Sequence, residues 1–165
     1  MMNILFSRSA IRGMVSRMAD MTNKRASMRT AHYWVIMHGA FMFASDFLRQ
    51  MPSRPVNFIH IKRGYNASSI QEPELISEEP TFFSGRRHIF IDVVTETGLT
   101  FKYLMDMLPP KLRRKAITVA LVQKVVNNVE WQPSVIGFRL ETDLFLSGYG
   151  MGPYRMLPYI IGYKK

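Results

Sequence analysis

The residues best suited to chemistry lie together in IFIDVVTETGLTF, residues 89–101. An apolar run reaches Asp92, and Thr95, Glu96, Thr97, Gly98, Leu99 and Thr100 then lead into a second apolar pattern. With the run as a buried strand and the pattern as a helix, the join sits at the carboxyl end of a strand, where open α/β sheets gather ligands. Successive backbone N–H groups point outward there, and the helix dipole adds to their pull on a phosphate. Gly98 permits close approach of the backbone, Thr97 and Thr100 supply hydroxyl donors, and Asp92 and Glu96 bring carboxylates. Other chemistries find less support. The chain has no cysteine, which rules out disulfides, a thiolate zinc site and a cysteine nucleophile. His32, His60 and His88 share no metal-binding spacing and read as structural or exposed residues. Thirteen methionines read as core filler, since Met adapts to irregular gaps.

The surrounding pattern supplies the elements that must hold this segment. Ser7 is a candidate N-cap, followed at helical spacing by Ile11, Met14, Val15 and Met18. AHYWVIM (31–37) is strand-like, and FMFASDFLRQM (41–51) predicts a helix with Phe43, Phe47, Leu48 and Met51 on one face, stopped by Pro52. PVNFIHIK (55–62) predicts a strand with Val56, Phe58 and Ile61 inward. Residues 64–85 read as a long loop, whose acidic-hydrophobic part, 72–83, is either disordered or a docking segment. HIFIDVV (88–94) is a buried strand, and LTFKYLMDML a helix ending at Pro109-Pro110. AITVALV (116–122), FLSGY (145–149) and PYIIGY (158–163) supply further strands, with Trp34 and Trp131 as buried anchors. Strands alternating with helices predict one α/β domain, residues 1–165, with a mainly parallel sheet. No apolar run reaches the roughly 18 residues of a membrane span.

IFIDVVTETGLT resembles the phosphoribosyl-pyrophosphate loop of hypoxanthine-guanine phosphoribosyltransferases: two adjacent acids, two apolar residues, Asp, then Thr-Gly-x-Thr. ILFSRSAIRGMVSRMA is similar to the family's opening strand and helix, and VIMHGAFMFASDFLRQ to its Lys-Gly-Gly/Ala segment and following helix. VNFIHIKRGY resembles the strand entering the mobile active-site loop, WQPSVIGFRLETDLFLSGYGMG the purine-binding end, and YRMLPYIIG the closing strand. The resemblance implies a type I phosphoribosyltransferase-like fold, a mainly parallel twisted sheet flanked by helices.

The same resemblance assigns roles. The 5′-phosphate would lie on Thr95, Thr97, Gly98, Leu99 and Thr100, the ribose on Asp92, the purine on Gln123 and Phe145, and pyrophosphate on His38, Gly39 and Arg155. Glu96 stands at the position of the family's base. Departures are numerous. Val93 replaces the second ribose acid, Gln123 the purine-recognising Lys, His38 the pyrophosphate Lys, and Gly152 an Asp that helps hold Mg²⁺. Charge-assisted hydrogen bonds contribute roughly 1.5–3 kcal/mol each, so these losses together predict about 6–10 kcal/mol less stabilisation, or roughly four to seven powers of ten in rate. The turn, built on backbone donors, is expected to keep weak binding of phosphate or a nucleotide monophosphate.

The charge map points elsewhere. The formal net charge is +10, and residues 1–65 carry ten Lys or Arg against Asp20 and Asp46 alone. Such clustering predicts polyanion contact, at Arg8, Arg12, Arg17, Lys24 and Arg25 and at Lys111, Arg113, Arg114 and Lys115. With the eroded site, it leads to the expectation of a non-catalytic structural subunit of a large assembly, a mitochondrial ribosome or other ribonucleoprotein, without a cofactor. The alternative is a divergent, active hypoxanthine-guanine phosphoribosyltransferase in purine salvage, using Mg²⁺ and working as a homodimer. The acid-poor N-terminus, MMNILFSRSAIRGMVSRM, resembles a mitochondrial presequence, giving an expected mitochondrial location with cytoplasm as alternative; the family resemblance instead gives residues 4–19 a place in the domain.

Overall fold

The computed structural model describes residues 3–25, 30–62, 65–66, 69–70 and 72–164, with backbone alone at 65–66 and 69–70. The chain runs β1 (Asn3–Phe6), α1 (Arg8–Arg25), β2 (Ala31–Met37), α2 (Phe41–Leu48), β3 (Val56–Lys62), β4 (Tyr65–Asn66), β5 (Ser69–Ile70) and β6 (Glu74–Leu75). It continues through β7 (Arg87–Thr95), α3 (Leu99–Met107), α4 (Pro110–Arg113), β8 (Ile117–Lys124), β9 (Val135–Leu140), β10 (Phe145–Ser147) and β11 (Ile160–Tyr163). The main sheet has the order β6-β3-β2-β7-β8-β9, parallel except for β6 at its edge. A second, antiparallel sheet has the order β1-β11-β10.

β2, β7 and β8 are continuous apolar runs because each is covered on both faces. On one face Tyr33, Val35, Ile89, Ile91 and Val119 pack with Val15 and Met18 of α1 and Phe43 and Phe47 of α2. On the other, Trp34, Ile36, Ile59 and Phe90 pack with Phe101, Leu104 and Met105 of α3. Each large side chain so buried contributes about 1.5–3 kcal/mol relative to exposure, so the middle strands form a firm base for the loops at their ends. Ser7 caps α1 as expected, its Oγ accepting from the Ala10 N–H at 3.3 Å.

Several expectations need correction. In β3 the inward residues are Ile59 and Ile61, while Val56 and Phe58 are 37% and 59% exposed. Strand alternation places 59 and 61 on one face and 56 and 58 on the other, so the expected inward set mixed two faces. The stretch 64–85 contains β4, β5 and β6, the last pairing with β3, while positions 64, 67, 68 and 71 lie outside the described residues. α2 ends at Leu48, before Pro52. β9 is a strand that periodicity did not single out, and Trp131 is half-buried, its Nε1 donating to Thr118 Oγ1 at 3.2 Å.

Candidate active site

The carboxyl ends of the parallel strands open onto a cleft of about 820 Å³. His38 and Gly39 follow β2, Asp92 and Glu96 come from β7 and its end, Thr100 from α3, and Lys124 from the last position of β8. The small sheet closes the opposite wall with Phe145 and Tyr163, and the turn after β10 adds Gly152 and Arg155. Chain segments far apart in sequence thus converge because parallel strands all end on the same side.

The threonine turn has the anticipated geometry. Gly98 precedes α3 with φ +82, a left-handed conformation that glycine adopts without cost. A Cβ there would run into the Trp131 carbonyl oxygen. The turn is braced from behind, since the Glu130 and Trp131 N–H groups donate to the Thr97 carbonyl at 2.7 and 3.2 Å. Thr97 Oγ1 accepts from the Leu99 N–H at 3.4 Å. Of the turn's side chains, Glu96 and Thr100 line the cleft, whereas Thr95 and Thr97 are buried within the fold and neither Gly98 nor Leu99 lines it.

Gln123 does not line the cleft, whereas its neighbour Lys124 does. Asp92 pairs in register with Ala120 and Val94 with Val122, so two further steps set Glu96 beside Lys124. Thr95 pairs with Gln123 on the other face. Gln123 is only 2% exposed and makes a closed amide pair with Gln132, at 3.2 and 3.0 Å. Lys124 instead lines the cleft, and its Nζ donates to Glu96 Oε1 at 2.7 Å. Its side chain is 13% exposed and that of Glu96 25%, so water screens this pair less than a surface one. Alternation along β8, aligned on Asp92, was the sequence signal that could have found it.

The remaining candidates fall into place around this pair. Asp92 Oδ1 accepts from the Val93 N–H at 2.7 Å. His38 is exposed, follows a cis peptide bond, and meets His60 edge to face at 4.3 Å. Phe145 lies 6.2 Å from Tyr163, giving the cleft an aromatic wall. Arg155 Nε donates to the Gly152 carbonyl at 3.3 Å. Tyr149, to which the sequence assigns no site role, donates its hydroxyl to Asp46 Oδ2 at 2.7 Å, tying the loop beside Gly150 to α2. Burial, followed by the Asp46 carboxylate, pushes the Tyr149 hydroxyl far above its ordinary value.

The proposed polyanion surface divides. Arg8, Arg12, Arg17, Lys24 and Arg25 are exposed along α1, as are Lys111 in α4 and Arg114 and Lys115 just after it. Arg113 serves the fold, donating to the Asp106 and Leu108 carbonyls at 3.2 and 3.3 Å and pairing with the Asp106 carboxylate at 3.4 Å. Among the described residues no three metal-ligating side chains cluster. Mg²⁺ commonly keeps several waters and borrows substrate phosphate oxygens, needing one or two carboxylates. Asp92 in the cleft fits an ion that arrives with a substrate.

No family model matches the sequence. The hypoxanthine-guanine phosphoribosyltransferase of Dictyostelium discoideum is 30% identical over 134 residues, covering 76% of this chain and 74% of that protein. A bifunctional protein TilS/HprT of Listeria monocytogenes is 28% identical over 131 residues, a match spanning only 20% of that longer protein. Among solved structures, a Staphylococcus aureus hypoxanthine phosphoribosyltransferase superposes with a TM-score of 0.82 at 21% identity, over 98% of this chain and 91% of that one. The Trypanosoma cruzi enzyme in complex with the product IMP gives 0.75 at 21% identity, over 98% and 93%. These relatives overturn the expected structural, RNA-binding subunit of a ribosome or other ribonucleoprotein. All carry the name of an enzyme, and none is a ribosomal protein. Net charge speaks to possible surroundings and not to fold or chemistry. By its sequence relatives and its type I phosphoribosyltransferase fold, the chain belongs to the hypoxanthine-guanine phosphoribosyltransferase family.

Proposed function

We propose that the chain transfers a phosphoribosyl group from phosphoribosyl pyrophosphate to hypoxanthine or guanine, the alternative raised by the sequence. The observation that carries this reading is Lys124 in the cleft, opposite the aromatic wall of Phe145 and beside Glu96. A 6-oxopurine stacks on Phe145 while Lys124 donates to its exocyclic oxygen. The 5′-phosphate takes the backbone N–H groups of the turn and the Thr100 hydroxyl, and Asp92 accepts from a ribose hydroxyl. Pyrophosphate lies toward Gly39, His38 and Arg155.

In the reaction the bond from C1′ to the pyrophosphate oxygen breaks and a bond from C1′ to the purine nitrogen forms. The proton displaced from the ring passes to Glu96. Mg²⁺ arriving with pyrophosphate would supply charge neutralisation there, with Asp92 as the carboxylate that would face it. Val93, His38 and Gly152 leave ribose and pyrophosphate with fewer charged partners than the family pattern, so the deficit falls on phosphoribosyl pyrophosphate binding and not on the purine. We further propose a homodimer, for which Val56 and Phe58 on β3 offer apolar surface. Purified chain with Mg²⁺, phosphoribosyl pyrophosphate and hypoxanthine or guanine is expected to release pyrophosphate only when a base is present. Release no faster than in a protein-free control would overturn the proposal.

A further inference from the structure

A second cavity, of about 440 Å³, lies at the other end of the sheet. Thr30 immediately precedes β2, Arg87 opens β7 with Arg86 just before it, and Lys115 lies shortly before β8. The cavity therefore collects the amino ends of strands whose carboxyl ends form the cleft. Arg87 lines this cavity and Asp92, five residues further along β7, lines the cleft, so at roughly 3.3 Å per residue their facing edges lie about 16 Å apart. The cavity owes nothing to the proposed reaction.

Its walls carry Arg86, Arg87, Lys111 and Lys115, and among the described residues no acidic one lines it. None of the four makes an ion pair with a described acid. One of them is positioned: Arg87 Nη1 donates to the Lys115 carbonyl at 3.0 Å, which fixes the guanidinium at the rim. Four cations around one concavity repel one another, so an anion held among them is favoured on both counts. The floor is apolar, formed by Phe82, Pro109 and Leu112. Phe82 is anchored from beneath by Trp34 at 5.3 Å and His88 at 5.4 Å, so its ring is a fixed surface.

We propose that this cavity is a second ligand site, taking a nucleotide: a phosphate head on the four cations and a flat base against Phe82 and Leu112. The volume falls within the range of small-molecule pockets, roughly 300–1,000 Å³. Guanidinium groups match phosphate oxygens in pairs, and the fixed Arg87 supplies one such fork.

The test uses the full chain, ¹⁵N-labelled, titrated with ATP and separately with inorganic tripolyphosphate. Amide shifts are expected at Ser84–Arg87 and Lys111–Lys115, apart from any at Thr97–Thr100 that report the cleft. ATP is expected to bind more tightly than tripolyphosphate, because only ATP reaches the apolar floor. Lys111→Glu/Lys115→Glu should weaken the cavity response about tenfold or more while leaving the cleft response intact. Should that variant fold poorly, Arg86→Gln carries the same expectation with a smaller effect. Three results would overturn the proposal: no cavity shifts at millimolar ATP, equal affinity for ATP and tripolyphosphate, or equal competition by polyglutamate.

Discussion

Replacing Lys124 with Met while separately replacing Gln123 with Leu sets the geometry of β8 against the linear sequence match. Lys124→Met keeps the aliphatic stem but removes the donor 2.7 Å from Glu96 Oε1. The proposed contact to the purine oxygen is a charge-assisted hydrogen bond, about 1.5–3 kcal/mol, which is roughly ten- to 150-fold in Kd. Glu96 also loses its partner in a partly sheltered cleft; since both side chains keep some solvent, the stability loss stays at or below about 1–3 kcal/mol. Gln123→Leu behaves in the opposite way. It breaks the amide pair with Gln132, leaving polar groups short of partners at a cost of about 1–3 kcal/mol in stability, but it takes nothing from the cleft. Calorimetry with guanosine monophosphate and urea unfolding of both variants separate the cases. Lys124→Met is expected to lose nucleotide affinity and Gln123→Leu to lose stability alone. Unchanged affinity in Lys124→Met, with weakened binding in Gln123→Leu, would refute the assignment.

Other expectations follow from single contacts. Gly98→Ala places a side chain in a left-handed position costing about 1–2 kcal/mol and drives it against the Trp131 carbonyl, so thermal melts should show a clear drop in Tm; an unchanged Tm would mean the turn can relax. His88 accepts from Trp34 Nε1 through Nδ1 at 2.8 Å and meets the Phe83 carbonyl through Nε2 at 3.2 Å, and burial pushes its imidazole below the ordinary 6.5. The unfolded chain therefore binds that proton first, so stability is full above 6.5 and declines as pH falls through it; urea midpoints flat between about pH 5 and 7 would contradict this. His38→Lys restores a permanent cation facing the proposed pyrophosphate position and should tighten phosphoribosyl pyrophosphate binding about tenfold or more, measured by calorimetry, whereas no gain would place pyrophosphate elsewhere.

Much of the molecule could be read without coordinates. Apolar runs at 31–37, 88–94 and 116–122 marked strands covered on both faces, and Gly98 amid threonines marked a tight turn into a helix; these signals are local, and so is the physics behind them. What escaped depends on which neighbour a residue meets. In strands one position reverses the side, so Gln123 is buried while Lys124 lines the cleft, and Val56 and Phe58 face outward, although their residue types suit either face. The total of +10 could not distinguish Arg113, bound to carbonyls within the fold, from Arg86, Arg87, Lys111 and Lys115, which meet around one cavity. Those four come from segments separated by a helix and a strand's length of chain, and only the parallel order of β2, β7 and β8 sets them at a common edge. Composition and local spacing determined the elements and the threonine turn; the register between strands decided which side chains share a site, because pairing energy depends on partners that a linear pattern does not name.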